Sequence, residues 1–522
     1  WAPSPAADPL FREVPVAVGA AEIRELVAGY ASVARHCVDG GFDGVELQCS
    51  HSSILRQFLS PLTNHRSDDY GGSLANRARL LREVLGAVRA EVGDGCVVGV
   101  RLCGDEGIPG GIPLEEAVTT ARMVEPLIDY VNTAIGVATA TPHLIEPSMH
   151  VEPGYALHIP AAVRAAVSVP VIGVGRLTEP THAESALAAG HCDLVGVVRG
   201  QIADPGFATP GRVGRRTCLG CNQECIGRVG LNRSLGCAVN PRAGREAVPL
   251  PAPAPARRVL VVGGGPAGLR AAATAADRGH SVLLCECAPH TGGLLALAAT
   301  APGRGQLANL VGDLLAECRG RGVEIRTGTP VDVATVRAMA PDAVVLATGT
   351  RPVRPPWAEG CERVVDVRDV LAGRAAPAGS VLVYDELGHH AAASVAELLA
   401  TRDCRVDIMT PAMVVAQDLG GTLDMELFHR RAHRAGIGMI TDRVVLAAAP
   451  GLVLTVLEHT VGTVTEVGYD WVVSTVPPRP RDSLWRKLRE PSDPPVHRAG
   501  DCLAPRLAPS AVRDGHRIAM AI

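Results

Sequence analysis

The stretch Val259-Leu-Val-Val-Gly263-Gly-Gly265-Pro-Ala267-Gly268, followed by an alanine-rich run and then Ser281-Val-Leu-Leu-Cys-Glu286, leaves the backbone little choice. An apolar β-branched run, a glycine-rich turn, a helix-forming run and a second apolar run read as strand, turn, helix and strand. Gly263 allows the tight turn, Gly265 lets the backbone approach a pyrophosphate at the helix N-terminus, and Gly268 lets helix and strand pack closely. Glu286 stands 23 residues past Gly263, where a carboxylate can bond an adenosine ribose. A lone G-x-G-x-x-G is a weak signal. This one follows a strand, opens a helix and has its acid in place, so a bound dinucleotide is expected, with Ala267 and, farther on, Gly293 against it.

Two later segments extend that reading. Val345-Leu-Ala-Thr-Gly349 and Gly500-Asp501 resemble the later strand–turn motifs of flavin disulfide-reductase-type domains, which implies FAD, or ADP in its place, with Asp501 as a contact. Ser380-Val-Leu-Val-Tyr-Asp385-Glu386-Leu-Gly388-His389-His390 keeps the strand–turn–helix pattern where an NAD(P)H unit would lie, but only Gly388 of the glycine frame remains, at an off position. Asp385 and Glu386 would set carboxylates where a pyrophosphate needs the positive end of a helix. A structural βα unit stabilised by acidic caps is the favoured reading of this turn.

Between about residues 20 and 205, apolar runs at Gly44–Gln48, Val97–Leu102, Tyr130–Ile135, Pro170–Gly175 and Leu194–Gly200 alternate with Ala/Leu/Arg-rich helical stretches. Parallel strands with covering helices put chemistry at the strands' C-terminal ends. A closed (β/α)8 TIM barrel needs eight strands. Trp1-Ala-Pro-Ser-Pro resembles neither a signal peptide nor an evident native start, so the expectation is strands 4–8 of such a barrel, with roughly a hundred residues absent ahead of Trp1. The fold class is therefore α/β: a TIM-barrel portion, a cysteine segment, and doubly wound Rossmann-like domains. The expected boundaries are 1–210 for the barrel, 211–247 for the cysteine segment, 248–257 for a Pro-rich linker, 258–379 with 480–522 for the FAD/ADP domain, and 380–479 for the degenerate NAD(P)-type domain.

Cys218-Leu-Gly-Cys221-Asn-Gln-Glu-Cys225 and Cys237 give the spacing C-x2-C-x3-C-x11-C. Three thiolates within eight residues can wrap three corners of one cubane while a fourth closes from a distance, which favours [4Fe–4S]. Structural zinc, the alternative, normally uses two separated C-x2-C knuckles. The other eleven of the fifteen cysteines are scattered through apolar segments, as in a reduced cytoplasmic protein. A formal charge of −4 disfavours nucleic acid and anionic membranes as partners, and no apolar run reaches the roughly 20 residues of a membrane span. A small-molecule substrate fits that balance.

With those motifs in order, the chain resembles the iron–sulfur flavoproteins that include trimethylamine dehydrogenase and 2,4-dienoyl-CoA reductase, a fused branch of the old yellow enzyme family. The resemblance rests on Phe58-Leu-Ser-Pro61-x-x-Asn64-x-Arg66-x-Asp68-Asp-Tyr70-Gly-Gly72 with Asn76-Arg77, on Gly173-Val-Gly175-Arg176, on Ile202-Ala-Asp204-Pro205, on the cysteines with Asn240-Pro241-Arg242, and on Gly500-Asp501-Cys-Leu-Ala-Pro505-Arg506. It covers essentially the whole chain and implies FMN in the barrel, a [4Fe–4S] centre, and FAD or ADP in the nucleotide domain. It further implies that Arg101 lies beside the flavin N1/O2 edge, where a fixed cation stabilises the reduced, anionic flavin. Gly175 with Arg176, and Val198 with Arg199, would meet the FMN phosphate. His51 matches the position that holds a substrate heteroatom, while Gln48 stands where His or Tyr is usual. Ser53 replaces the tyrosine that protonates the alkene in enoate reducers, and Ala138 stands where dienoyl-CoA reductases place a second acid.

Three functions are consistent with these residues. A dehydrogenase would take electrons from an amine or similar donor to FMN, pass them through [4Fe–4S], and deliver them to an electron-transfer protein. A reductase would run the same chain backwards from NAD(P)H to an enoyl substrate. A degenerate flavoprotein would serve as a non-catalytic scaffold. The degenerate turn at 385–390 and the loss of the proton donor at Ser53 favour the first. The oligomeric state stays open in the sequence, a homodimer being one option.

Overall fold

In the computed structural model, which describes residues 1–209, 214–252 and 255–522, the chain forms two compact units. One comprises Trp1–Pro147 and Val151–Val198, the other Ser148–His150 and Arg199–Ile522. The expected boundary at 210/211 and the middle of the linker 248–257 lie outside the described residues. Among the described residues no helix is long and apolar enough to cross a membrane.

In the first unit β1 (Gly44–Cys49), β2 (Val97–Asp105), β3 (Tyr130–Ile135), β4 (Val171–Gly173) and β5 (Leu194–Val195) lie side by side in chain order, all parallel. Parallel neighbours need crossovers, and helices such as Arg79–Val92 and Leu114–Val124 supply them. In the first of these Leu80, Leu81, Val84, Leu85 and Val88 recur at helical spacing and are buried, and Gly93 at φ +71° ends it. They cover one face of the sheet, where Val98, Val100, Leu102, Val131 and Val171 are buried. The other face carries Glu46, Gln48, Arg101, Tyr130 and Asn132, with Gln48, Arg101 and Asn132 in one row across three strands.

Two expected strands are shorter than their apolar runs. Pro170–Gly175 pairs only over Val171–Gly173, because Gly175 (φ +133°) and Arg176 (φ +44°) turn away. Leu194–Gly200 pairs only over Leu194–Val195, because Arg199 opens a helical turn ending at Ala203, which joins the core of the second unit.

The second unit holds two parallel sheets. β6 (Arg258–Val262), β7 (Ser281–Cys285), β8 (Glu324–Arg326) and β9 (Ala343–Leu346) are joined by Val496–Arg498 in the order Val496–Arg498, β9, β6, β7, β8. The helix Pro266–Asp277 crosses from β6 to β7 and packs on the C-terminal helix Ala508–Ala521, so closely that a Cβ on Gly515 would stand 2.2 Å from the Ala267 carbonyl oxygen. The other sheet has the order Val364–Asp366, Trp471–Thr475, Ser380–Asp385, Arg405–Met409, Gly438–Ile440, and a three-stranded antiparallel sheet spans Arg443–Gly468. Val364–Asp366 precedes the expected boundary at 379/380, yet its parallel pairing with Val472–Ser474 puts it in the later sheet.

Candidate functional site

The C-terminal edge of β1 and β2 gathers the polar residues singled out on the first unit. His51 follows β1 in a left-handed conformation, φ +55°, which turns the chain from strand toward the helix Ile54–Leu59. Burial, then the charges of Arg101 and Arg56, push the His51 imidazole down to about 4, so it is neutral at neutral pH. Arg101 lies on β2 opposite Gln48, and its Nε is buried without a hydrogen-bond partner. Ser53 does different work from the expected acid position. It is the N-cap of the helix Ile54–Leu59, and its Oγ accepts from Arg56 N at 3.3 Å.

Behind this edge lies a buried ion pair that the sequence reading missed. Arg56 Nη1 donates to Glu106 Oε1 at 2.5 Å, while Glu106 Oε2 accepts from Ser60 Oγ (2.8 Å) and Ile112 N (3.1 Å). Both charged side chains are at most 5 % exposed. No spacing rule links residues 56 and 106; only the fold brings them together.

The signature from Phe58 to Arg77 is a brace for this edge. Asn64 Nδ2 donates to the carbonyls of Phe58 and Tyr70, at 2.6 and 2.7 Å. Arg77 donates to the carbonyls of Leu59 and Gly72 and pairs with Glu116 at 2.8 Å. These residues hold the loop's own backbone, so their side chains serve shape. At the far side of the sheet, Gly175 is pressed against Ala156, whose Cβ would lie 2.9 Å from a Cβ added there, and Arg176 is buried. Val198 is exposed at the end of the first unit.

Within the second unit the four thiols of Cys218, Cys221, Cys225 and Cys237 line one small cavity with Arg199, Ile202 and Asn222. Gly220 and Asn222, both in the left-handed region, let the loop wrap around it. Arg199 Nη1 donates to Asn222 Oδ1 at 2.6 Å, so the structure places this guanidinium on the cysteine loop. Burial pushes the Cys237 thiol up to about 11 and raises Cys221 and Cys225 as well. A tetrahedral zinc site with bonds of about 2.3 Å would draw its sulfurs to roughly 3.8 Å from one another. Among the described residues no three of these thiols lie within 4.8 Å, the spacing at which a single-ion trio does occur elsewhere in this unit. Four thiols around one cavity, yet too far apart for one ion, fit a cubane.

A cavity of about 710 Å³ opens above β6 and β7 and is lined by Gly263, Gly265, Ala267, Glu286, Gly293, Gly349 and Asp501, so seven sequence-expected residues share one wall. Gly268 is not among the lining residues; a Cβ there would stand 1.9 Å from the Gly263 carbonyl oxygen, so its hydrogen closes the packing of helix on turn. Above Gly265 nothing lies within 4 Å of an added Cβ, the open approach a pyrophosphate needs. Glu286 Oε2 accepts from Gly264 N at 2.6 Å, and burial raises the Asp501 carboxyl. Cys221 and Arg304 line the same cavity, which puts a cysteine-loop thiol in the nucleotide wall.

At the second turn, Asp385 is fully buried and accepts from Leu387 N (2.9 Å), Gly388 N (3.2 Å) and Thr475 Oγ1 (2.7 Å). Its carboxylate therefore caps the turn. The helix His390–Ala400 begins beyond it with His389 as N-cap and no side-chain cap, which corrects the expected acidic helix cap.

The sequence profile of the NADH:flavin oxidoreductase / NADH oxidase family matches residues 8–216, and that of the FAD dependent oxidoreductases matches 258–348. N,N-dimethylglycine/sarcosine dehydrogenase of Chromohalobacter salexigens is 34 % identical over 99 % of this chain and 82 % of its own length. The chain belongs to the NADH:flavin oxidoreductase / NADH oxidase family. Solved relatives have the same fold: a 2-naphthoyl-CoA reductase superposes with TM-score 0.93 at 29 % identity, over 100 % of this chain and 80 % of that one. Histamine dehydrogenase from Rhizobium sp. 4-9 does so with TM-score 0.91 at 27 % identity, over 98 % and 78 %. As a member of this family the protein is an FMN-dependent oxidoreductase, related to amine dehydrogenases, with an FAD-type second domain. The residues present fit both flavins: Arg101 offers a buried, unpaired guanidinium N–H, and the open space over Gly265 would be filled by any Cβ.

Proposed function

We propose that the protein is a dehydrogenase of small N-alkylated amines, carrying FMN, a [4Fe–4S] cluster and FAD or ADP, with an electron-transfer protein as its acceptor. The observation that carries this direction of electron flow is the Asp385 turn, whose amide N–H groups are consumed by the chain's own carboxylate. Those donors are what a dinucleotide pyrophosphate would need, so entry of electrons from NAD(P)H at this turn is disfavoured. Similarity to dehydrogenases of dimethylglycine, sarcosine and histamine supports an amine as donor.

Bound FMN supplies hydride acceptance and one-electron release. Removing a hydride from the carbon beside nitrogen leaves an iminium ion, which water hydrolyses to a shorter amine and an aldehyde. Arg101 is assigned to the flavin's pyrimidine edge, and Gly175, Arg176 and Val198 to the FMN phosphate. His51, neutral above about 4, accepts a hydrogen bond from the N–H of a secondary amine, or from a bound water that donates to the nitrogen of a tertiary one, without adding positive charge, and Gln48 flanks it. Ser53, two residues past His51, is committed to the helix cap. Arg199 braces the loop of Cys218, Cys221, Cys225 and Cys237, which hold the cluster. Gly263, Gly265, Ala267, Glu286, Gly293 and Asp501 line the FAD or ADP seat, and Gly268 lets the helix close on the turn beneath it.

To these parts we assign FMN on 1–210, the cluster on 211–247, and FAD or ADP on 258–379 with 480–522, with the strand Val364–Asp366 counted with the sheet of 380–479 in which it pairs. Fifteen cysteines without a disulfide fit a reducing, cytoplasmic setting. The test is anaerobic reduction of the full-length protein, followed in the visible spectrum, by NADH, NADPH, sarcosine, dimethylglycine and histamine. Bleaching by an amine and not by the nicotinamides is expected. Rapid stoichiometric bleaching by NADH or NADPH alone would overturn the reading in favour of a reductase, the direction in which the 2-naphthoyl-CoA reductase works.

A further inference from the structure

We propose that His150, His390 and Asp424 form a binding site for one divalent cation of zinc's chemical class. One ligating atom from each lies within 4.8 Å of the other two, and among the described residues no other trio of His, Cys, Asp or Glu converges in this way. Three stretches remote in sequence supply them: Ser148–His150, the first residue of the helix His390–Ala400, and the residue ahead of the helix Met425–Arg434. Asp424 is 1 % exposed; its Oδ2 stands 3.5 Å from His390 Nε2, and its Oδ1 has no hydrogen-bond partner. A buried carboxylate oxygen left bare is costly, and a cation held between it and two imidazoles removes that cost.

The donors suit the ion. Two imidazole nitrogens and a carboxylate are a borderline donor set that zinc accepts with a fourth position left open, whereas magnesium and calcium favour oxygen throughout. Burial holds the His390 imidazole well below the ordinary histidine range, so it presents the neutral form that ligates. The two imidazole rings sit 6.2 Å apart and tilted by 33°. Gly303 makes room for one of them: a Cβ there would come within 2.5 Å of His150 Nδ1.

Arg304 sets the strength of the site. It is 5 % exposed, its Nη1 has no hydrogen-bond partner, and its charge acts on both Asp424 and His390 although it forms no ion pair with the carboxylate among the described residues. A guanidinium so placed weakens cation binding, and its removal strengthens it. Zinc has no redox chemistry of its own, so the bound ion would act mechanically, tying three stretches together behind the cavity wall that His390 lines.

The holoenzyme, stripped with a mild chelator that leaves its iron in place, is equilibrated with zinc sulfate and desalted. Zinc is counted against iron by mass spectrometry, and affinity is measured by calorimetry. One zinc per chain is expected, together with a zinc-dependent rise in Tm. Asp424→Asn, which keeps the side-chain shape, and His390→Ala should each weaken binding by roughly tenfold or more, and Arg304→Met should tighten it by roughly tenfold. Zinc at the parent's level in both Asp424→Asn and His390→Ala would place the ion elsewhere and overturn the proposal. A folded parent that retains no zinc would reduce the trio to a hydrogen-bonded His–Asp pair beside a second imidazole. Neither outcome depends on which substrate the flavin oxidises.

Discussion

Two glycines of one turn, three residues apart, should respond in opposite ways to the same added methyl group. At Gly268 a Cβ would stand 1.9 Å from the Gly263 carbonyl oxygen and 3.2 Å from the Ala347 side chain. Ordinary carbon–oxygen contact is above 3 Å, so the helix Pro266–Asp277 must move by about 1 Å from the turn after β6, against a core in which Leu269, Ala271, Ala272 and Ala275 are fully buried. Overpacking of that kind costs about 1–3 kcal/mol. At Gly265 nothing lies within 4 Å of the added Cβ and φ is −76°, so only the modest N-cap preference for Gly over Ala is lost, below about 1 kcal/mol. The same methyl group fills the approach to the helix N-terminus. A pyrophosphate kept from one or two backbone N–H donors forfeits charge-assisted hydrogen bonds of about 1.5–3 kcal/mol each, a loss of at least roughly tenfold in affinity. The assay pairs thermal unfolding of nucleotide-free protein with calorimetric titration of ADP and chromatography of the released nucleotide. Gly268→Ala should unfold several degrees early, while Gly265→Ala should unfold with the parent and lose the nucleotide. Parent-like ADP affinity in Gly265→Ala, or parent-like Tm in Gly268→Ala, would refute the assignment of the two glycines.

Three further outcomes are expected. Burial pushes both His51 and His516 down to about 4, below the value near 6.5 of the unfolded chain, so between those pH values the unfolded state binds protons that the native state refuses. Stability should therefore fall as pH drops from 6.5 toward 4. His51→Gln should flatten that slope, and an unchanged slope would show His51 to be solvated. Cys225→Ser should lower bound iron from about four atoms per chain to below one, whereas stoichiometric zinc and no iron in the parent would exclude the cubane. Arg56→Met leaves Glu106 buried, unpaired and 0 % exposed, and should destabilise the first unit by about 3–5 kcal/mol in urea unfolding, with Arg56→Met/Glu106→Gln recovering part of the loss. No recovery in the double variant would mean that packing, and not charge, is what Arg56 supplies.

Local signals were the readable ones. The turn from Gly263 to Gly268 and the acid at Glu286 lie in one cavity wall because a strand, a tight turn and a helix fix their spacing within a single βα unit. The five apolar runs before residue 205 pair in parallel in chain order for the same reason: each strand and its covering helix are contiguous in sequence. Strand ends were less legible. At Gly175 and Arg199 the apolar run continues while the backbone leaves the sheet, and hydropathy carries no record of φ.

By itself the sequence determined the α/β class, the glycine geometry of the nucleotide turn and the presence of a four-cysteine motif, since each depends on residues a few positions apart. Tertiary structure alone decided what distant side chains do to one another. Asp385, read from its neighbours as a charge at a helix N-terminus, is the acceptor that closes a turn together with Thr475, ninety residues later. Arg199, which adjoins the end of β5, has its guanidinium on the cysteine loop. Arg56 meets Glu106, and His150, His390 and Asp424 converge, only because the fold brings stretches remote in sequence together. The strength of a charge or a ligand depends on the dielectric and the partners around it, and a chain acquires both only by folding.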